Sequence, residues 1–404
     1  MGMRFTNGYA PAALCSPTRK SILTGQSPTR HEYQIDQQTW KEGYRDQLTI
    51  PRLLKSIDSR YVTAHLGKWH SALIDASPEE MGYDISDGMT SNRTPEPTVR
   101  KDTLLIRNDP KLVFSLAKRT SEFIRQQHSE KRPFFVQLSH YAVHENITST
   151  DSSLHNFNSI TPGRKHGIPE FAAMTADLDH SIGILLSQLS ELDLLKSTYV
   201  IVLSDNGGVR GIDVRPVQEL PRNYPLRSGK GHVFEGGIRV PFFVVGPGIS
   251  PKSFSDVPVS GLDILPTIAD LAGWRGQLPS VVDGGSLAPV LANLTDGAIT
   301  RNDPFLLFHI DFDRRPGSAL RENNYKLVKL WKNYHWATFW KKDDVMLFDL
   351  STDIGEEQDL SILMPERTRR MEARLDSMIK AVGASTNGVR EKRLRNTNRA
   401  LNSQ

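Results

Sequence analysis

Several large protein classes are excluded by what this chain has little of. It holds a single cysteine, Cys15, in 404 residues, which rules out an intramolecular disulfide framework and leaves the redox compartment open. No apolar run approaches the roughly 20 residues that cross a bilayer as a helix, so no membrane partner is expected. Net charge is scarce too. The formal surplus is +4, and Arg390, Lys392, Arg393, Arg395 and Arg399 set against Glu391 account for all of it. The body is therefore neutral and lacks the basic face of a nucleic-acid binder. The tail that carries the surplus, 383–404, is rich in Asn, Ser, Thr and Gly and reads as a disordered basic segment. There is no repeat at solenoid spacing, and no Gly-Lys-Ser/Thr pattern follows a strand as a nucleotide loop would require.

The remaining composition, 38% hydrophobic and 24% charged, is that of an ordinary globular protein with enough length for a large core. Short runs rich in β-branched and aromatic residues, Tyr61–Ala64, Phe134–Leu138 and Tyr199–Leu203, suit buried strands. Between the last two, Phe171, Met174, Leu178, Ile182, Leu185, Leu189 and Leu192 recur at helical spacing. Val113, Leu116, Thr120, Phe123 and Gln127 repeat the pattern more weakly. This alternation predicts an α/β fold with a mainly parallel central sheet flanked by helices. After Arg301 the texture changes. Phe305–Phe308, Ser318–Arg321, an Asn323-Asn324 turn and Tyr325–Val328 read as an antiparallel meander, closed by a helix through Met371, Leu375, Met378 and Val382. The expected division is a catalytic domain over 1–300, a small antiparallel α+β subdomain over 301–382, and the tail.

Polar clusters follow each of the three strands, and ligands of parallel α/β sheets collect beyond the strands' carboxyl ends. Gly67-Lys68-Trp69-His70 sets a fixed positive charge beside a proton-transfer group. His140-Tyr141-Ala142-Val143-His144 offers an imidazole able to protonate a departing alkoxide; His140 reads as structural. Ser204-Asp205-Asn206-Gly207-Gly208 places a carboxylate and an amide oxygen side by side, donors suited to a hard cation, although such a stretch alone is also an ordinary turn. The run Gly229–Pro241 carries Lys230, Glu235 and Arg239 among glycines. Cys15-Ser16-Pro17-Thr18-Arg19, followed by Leu23-Thr24-Gly25, surrounds the lone cysteine with residues of chemical use. By itself Cys15 reads more readily as a small buried hydrophobe.

Taken together, Cys15–Arg19, Gly67–His70, the His144 segment, Asp205-Asn206 and Gly229–Pro241 resemble, in order, the segments of formylglycine-dependent sulfatases of the alkaline phosphatase superfamily. Leu262–Thr267, Val282-Asp283-Gly284 and Leu347–Leu350 with Asp353 and Glu356 extend the resemblance over nearly the whole chain. It implies a sulfuric ester hydrolase of arylsulfatase type, acting on a small-molecule or carbohydrate sulfate ester. Cys15 would be oxidised to formylglycine by a formylglycine-generating enzyme. One hydroxyl of the hydrated aldehyde would attack sulfur, and the second would drive release of sulfate. The resemblance makes Asp205 and Asn206 ligands of Ca2+, or of Mg2+, and makes Lys68 and Lys230 stabilisers of the sulfuryl charge. Arg19 would orient the formylglycine, and His70 would position its hydroxyls or accept a proton. His144 or Lys230 would protonate the leaving group, with Lys68, His144 and Lys230 contacting substrate. Glu235 and Arg239 would hold their loop.

Two departures from the family qualify these expectations. Val143 stands where the family usually has proline before the histidine. The chain also opens within the segment leading to the signature, without the adjacent aspartates that complete the family's metal site. The expectation is therefore an amino-terminally incomplete sulfatase that holds a divalent ion poorly. Alternatives from the same residues are a phosphate or phosphonate monoester hydrolase of the superfamily and an inactive anion-binding remnant. Trp331–Trp336 with Trp340 could rim a sugar site or simply pack a hairpin. Relatives are periplasmic, secreted or lysosomal; compartment and oligomeric state stay open.

Overall fold

The computed structural model of the protein describes residues 2–31, 45–69, 76–91, 108–163, 165–209, 222–292, 297–310, 316–331, 344–384 and 386. His70, residues 332–340 of the expected aromatic rim and nearly all of the basic tail lie outside them. The chain forms two compact units: Lys41–Tyr199, and Met1–Trp40 with Val200–Gln404. Among the described residues no helix is long and apolar enough to cross a membrane.

In Lys41–Tyr199, strand Val62–Gly67 lies between Ile85–Ser86 and Phe134–Ser139, parallel to both. It is buried along its whole length, as its β-branched and apolar run predicts. Helix Val113–Ser129 buries Val113, Leu116, Thr120, Phe123 and Gln127, the residues its spacing selects. Leu116 meets Leu66 and Tyr141 in a small core. Helix Pro169–Glu191 forms where expected, but only Met174 and Leu189 of its apolar stripe are fully buried; Asp177 and Ser181 are buried beside them. Each of these polar residues has a local reason to be there. Asp177 accepts from the backbone and hydroxyl of Thr150 and from the Ser153 hydroxyl, which fixes the start of helix Asp151–Asn158. The Ser181 hydroxyl donates to the Val113 carbonyl at the start of the neighbouring helix.

In the other unit, one sheet runs in the order Val200–Leu203, Phe242–Val245, Met3–Phe5, Ser253–Ser255. Phe242–Val245 runs antiparallel to both Val200–Leu203 and Met3–Phe5, and Ser253–Ser255 is parallel to Met3–Phe5. The expected α/β class stands, with the Val62–Gly67 sheet wholly parallel and this one mixed. A second sheet is the predicted meander, Leu306–Ile310, Gly317–Glu322 and Tyr325–Leu330, extended by a fourth strand, Asp344–Asp349, all antiparallel. Its residues alternate faces with period two. Leu307, Leu320, Leu327 and Leu347 pack on Met371, Leu375 and Ile379 of helix Pro365–Ala381. Phe308, Ala319, Val328 and Phe348 face the opposite way and pack on Tyr9, Val233, Phe234 and Ile238. The meander is thus the platform under the Gly229–Pro241 run.

Asp84 ties the parallel sheet to helix Ile50–Ile57. Its carboxylate accepts from the Thr63 amide at 2.8 Å, the Thr63 hydroxyl at 2.9 Å and Lys55 Nζ at 2.6 Å. Burial pushes Asp84 up, but Lys55 and Thr63 outweigh it and hold the carboxyl below its ordinary value. A depressed folded value means stabilisation that is complete above the unfolded value, near about 3.9, and lost as pH falls through the lower folded one. Asp84→Asn is therefore expected to flatten the acid limb of the stability curve, measured by urea unfolding at stepped pH, and an acid limb identical to wild type would contradict this.

Candidate active site

Cys15 is the first residue of helix Cys15–Thr24, following the extended Leu14, and is 6% exposed. Pro17 falls in the first turn, where its missing N–H removes no helical bond. Gly25 closes the helix in the left-handed region, with φ of 69°. The loop before the helix is pinned by Thr18, whose hydroxyl donates to the Ala12 carbonyl at 3.0 Å and accepts from the Ala12 amide at 3.2 Å. Arg19, one helical turn beyond Cys15, lies on the same helix face.

Arg19 reaches the loop after strand Val200–Leu203. Its Nε and Nη2 both lie 2.8 Å from Oδ2 of Asp205. The next residue, Asn206, has its amide nitrogen turned to the Gly207 carbonyl at 2.8 Å. Its Oδ1 is buried and accepts no hydrogen bond from any described residue. A buried acceptor left this way costs about 1–3 kcal/mol, which a cation ligated there would offset. The oxygen donors of Asp205 and Asn206 thus fit a hard divalent ion in kind. Among the described residues, no cluster of three acidic, histidine or cysteine side chains stands ready for a metal.

Backbone hydrogen bonds join the Gly229–Pro241 run to this loop and to the segment before Cys15. The Gly207 amide donates to the Gly237 carbonyl at 3.0 Å, the Lys230 amide to the Gly208 carbonyl at 2.9 Å, and the Gly231 amide to the Ala13 carbonyl at 2.9 Å. Asn223 seals the junction, accepting from the Gly208 amide and donating to the carbonyls of Gly208 and Ser228. Such close approach requires glycine. A Cβ on Gly207 would stand 1.8 Å from the Gly236 carbonyl oxygen, and one on Gly237 would stand 2.0 Å from that of His232. Within this unit, the structure therefore brings together the segments that carry Cys15, Arg19, Asp205, Asn206 and Lys230.

Beneath them lies a set of charges in which Glu235 and Arg239 were expected to hold their loop, and whose partners Lys326 and Arg321 sequence reasoning missed. Glu235 is fully buried and receives Tyr9 Oη at 2.7 Å, Lys326 Nζ at 2.8 Å and Arg239 Nη1 at 3.2 Å. Arg321 in turn donates to Tyr9 Oη. Lys326 Nζ also forms an ion pair at 2.8 Å with Glu356 Oε1, out of hydrogen-bond alignment, and Glu356 Oε2 accepts the Glu235 amide at 2.7 Å. Burial pushes Glu235 up, but Lys326 and Arg239 outweigh it and hold it below the ordinary range; burial raises Glu356, and the neighbouring Glu235 adds to it. The available signal was a pair of lysines, Lys326 and Lys329, inside an otherwise apolar strand, Tyr325–Leu330.

The other predicted residues belong to Lys41–Tyr199. Lys68 follows strand Val62–Gly67, is 2% exposed, and its amide donates to the Ser139 carbonyl at 2.8 Å. His144 sits in the turn after strand Phe134–Ser139, its amide bonded to the Tyr141 carbonyl and its Nδ1 3.0 Å from the Glu145 carbonyl oxygen. His140 Nε2 lies 3.4 Å from the Ser181 hydroxyl, in keeping with a structural role.

The sulfatase family profile matches residues 1–274. Arylsulfatase A of Bos taurus is 28% identical over 409 residues, covering 89% of this chain and 76% of that protein. Among solved structures, Ps i-CgsB in complex with k-i-k-neocarrahexaose superposes with a TM-score of 0.74 at 22% identity, over 94% of this chain and 85% of that one. BT4656 in complex with D-glucosamine-2-N,6-O-disulfate gives 0.71 at 17% identity, over 95% and 91%.

The glycine requirement is testable by stability alone. Gly237→Ala is expected to cost about 1–3 kcal/mol or more, read by urea denaturation. Gly183→Ala, in the middle of helix Pro169–Glu191 with nothing within 4 Å of the added carbon, is expected to stabilise by up to about 1 kcal/mol. Equal effects of the two would contradict the close-approach account.

Proposed function

Because the chain belongs to the sulfatase family and is a sulfuric ester hydrolase, we propose that it cleaves sulfate esters of carbohydrates or small alcohols around residue 15. The observation that carries this reading is the Arg19 to Asp205 ion pair, which ties the helix beginning at Cys15 to the loop of oxygen donors. Sulfated-sugar ligands in two structural neighbours support the carbohydrate class. The family alone suggests a periplasmic, secreted or lysosomal setting and a formylglycine-generating enzyme as maturation partner.

Formylglycine at position 15 supplies a hydrated aldehyde whose two hydroxyls serve attack on sulfur and release of sulfate. A divalent cation, with calcium preferred over magnesium, would be held by Asp205 and Asn206 and would supply positive charge beside the sulfuryl oxygens. The chain's own residues do the rest. Arg19, anchored on Asp205, orients residue 15. Lys230 sits in a loop locked by glycine contacts and stabilises the negative charge that grows on the sulfuryl oxygens, a contribution made at full strength only when the group is preorganised. By family resemblance alone, Lys68 would help offset that negative charge, His70 would position the nucleophile's hydroxyls or take a proton from them, and His144 or Lys230 would deliver the proton to the departing alkoxide.

The test is turnover by chain coexpressed with the converting enzyme, comparing aryl sulfate with aryl phosphate. Preference for sulfate is expected, with Cys15→Ala abolishing turnover and Lys230→Ala lowering kcat by about 10²–10³. Preference for phosphate would instead assign the chain to the phosphate or phosphonate monoester hydrolases. Calorimetric titration with calcium checks the donor loop separately: Asp205→Ala is expected to abolish or weaken any binding seen, and an unchanged isotherm would remove Asp205 from the ligand set.

A further inference from the structure

We infer that Lys326 and Glu356, which lie in the C-terminal meander and the loop after it, are positioning residues for the loops that carry Asp205, Asn206 and Lys230. The inference rests on the sulfatase reading of that site and adds residues to it.

The connection can be followed atom by atom. Lys326 lies on strand Tyr325–Leu330, and its ammonium is completely buried between Glu235 and Glu356. Glu356 closes the triangle by accepting the Glu235 amide, and its own carbonyl accepts from Arg227 Nη1 at 2.9 Å. Arg227 lies over the Phe234 ring at 4.1 Å, and its carbonyl accepts the Gly236 amide at 2.9 Å. Both ends of the short helix Glu235–Ile238 are therefore gripped: its first amide by Glu356, its first side chain by Lys326, and its Arg239 cap by Thr6 and Asn7. From that helix the Gly237 carbonyl takes the Gly207 amide, one residue beyond Asn206. Lys230 bonds in turn to Gly208. The path from Lys326 to the donor loop is short: it passes through the Glu235 and Glu356 side chains to the helix and from there through backbone hydrogen bonds, where Gly207, Gly236 and Gly237 leave no room for a Cβ.

Apolar residues would hold the meander to the loop more simply, because burying charges is expensive and an ion pair is often replaceable by well-packed side chains without loss. What apolar contact does not supply is direction. Two carboxylates on one ammonium fix the helix in one orientation, the service that residues behind a ligand shell perform for metal and anion sites, where their loss typically costs 10–100-fold.

The experiment is amide hydrogen exchange on the full chain, wild type against Glu356→Gln and Lys326→Met, with aryl sulfate kinetics on the same samples. Glu356→Gln keeps the side chain's shape and an acceptor for the Glu235 amide while removing the charge. Exchange in peptides covering 203–209 and 228–239 is expected to accelerate about tenfold, with the strands Gly317–Glu322 and Tyr325–Leu330 unchanged, and kcat to fall about tenfold. Equal acceleration in loop and meander would make the cluster purely a stabiliser of the fold and overturn the inference, as would unchanged loop exchange, or accelerated exchange with unaltered kcat. Should Lys326→Met fail to fold, Glu356→Gln decides alone. Should wild-type chain not hydrolyse aryl sulfate, the reading of the site fails, while exchange still decides whether the meander holds the loops.

Discussion

The arrangement depends first on one ion pair, Arg19 with Asp205. It joins a helix one turn from its start to a loop nearly two hundred residues further along, and so ties the helix that begins at the only cysteine to the loop of candidate cation ligands. Both partners are largely but not fully buried, at 14% and 24% side-chain exposure. A hydrogen bond between charged groups in such a place is worth roughly 1.5–3 kcal/mol. That is a modest contribution to stability. Its importance is geometric, because an arginine fixed at Nε and Nη2 has little freedom left, and the helix face that carries residue 15 is fixed with it.

Beneath that pair the unit is organised by charge of a more costly kind. Glu235, Lys326 and Glu356 have no solvent exposure at all, and removing one partner of such a group costs about 3–5 kcal/mol because the others are left uncompensated. Tyr9 and Arg321 complete the set, and burial together with Glu235 pushes the Tyr9 hydroxyl well above its ordinary value. The meander uses its two faces for different purposes. One carries leucines against helix Pro365–Ala381, and the other supports the glycine-rich run with aromatic contacts and these charges.

How much of this was legible in the chain depends on how far apart the interacting residues stand. The helix Val113–Ser129 and the meander were readable because their signals are periodic and local: each residue's neighbours at three, four or two positions declare the buried face. The stripe on Pro169–Glu191 misled, since Asp177 and Ser181 are buried by hydrogen bonds to Thr150, Ser153 and Val113, and hydrophobicity does not count such bonds. Strand direction was also invisible. Nothing in Phe242–Val245 announces that it runs against Val200–Leu203, which is why the mixed character of that sheet was not foreseen. The site motifs were legible as chemistry because glycine, lysine and acidic residues at strand ends are informative in themselves. Glu235 and Arg239 were legible as residues that hold their loop; the partner Lys326 was not, because it meets Glu235 across 91 positions and nothing within its own strand points to that partner.

The most direct measurement of the central claim, that residue 15 is a precursor set beside an oxygen-donor loop, is the mass of the tryptic peptide containing it, taken from chain coexpressed with an active formylglycine-generating enzyme. The account predicts a peptide whose thiol has become an aldehyde, detectable by its reaction with a hydrazine probe. A peptide that keeps its thiol in full, in cells where a known substrate of the same enzyme is converted, would contradict it.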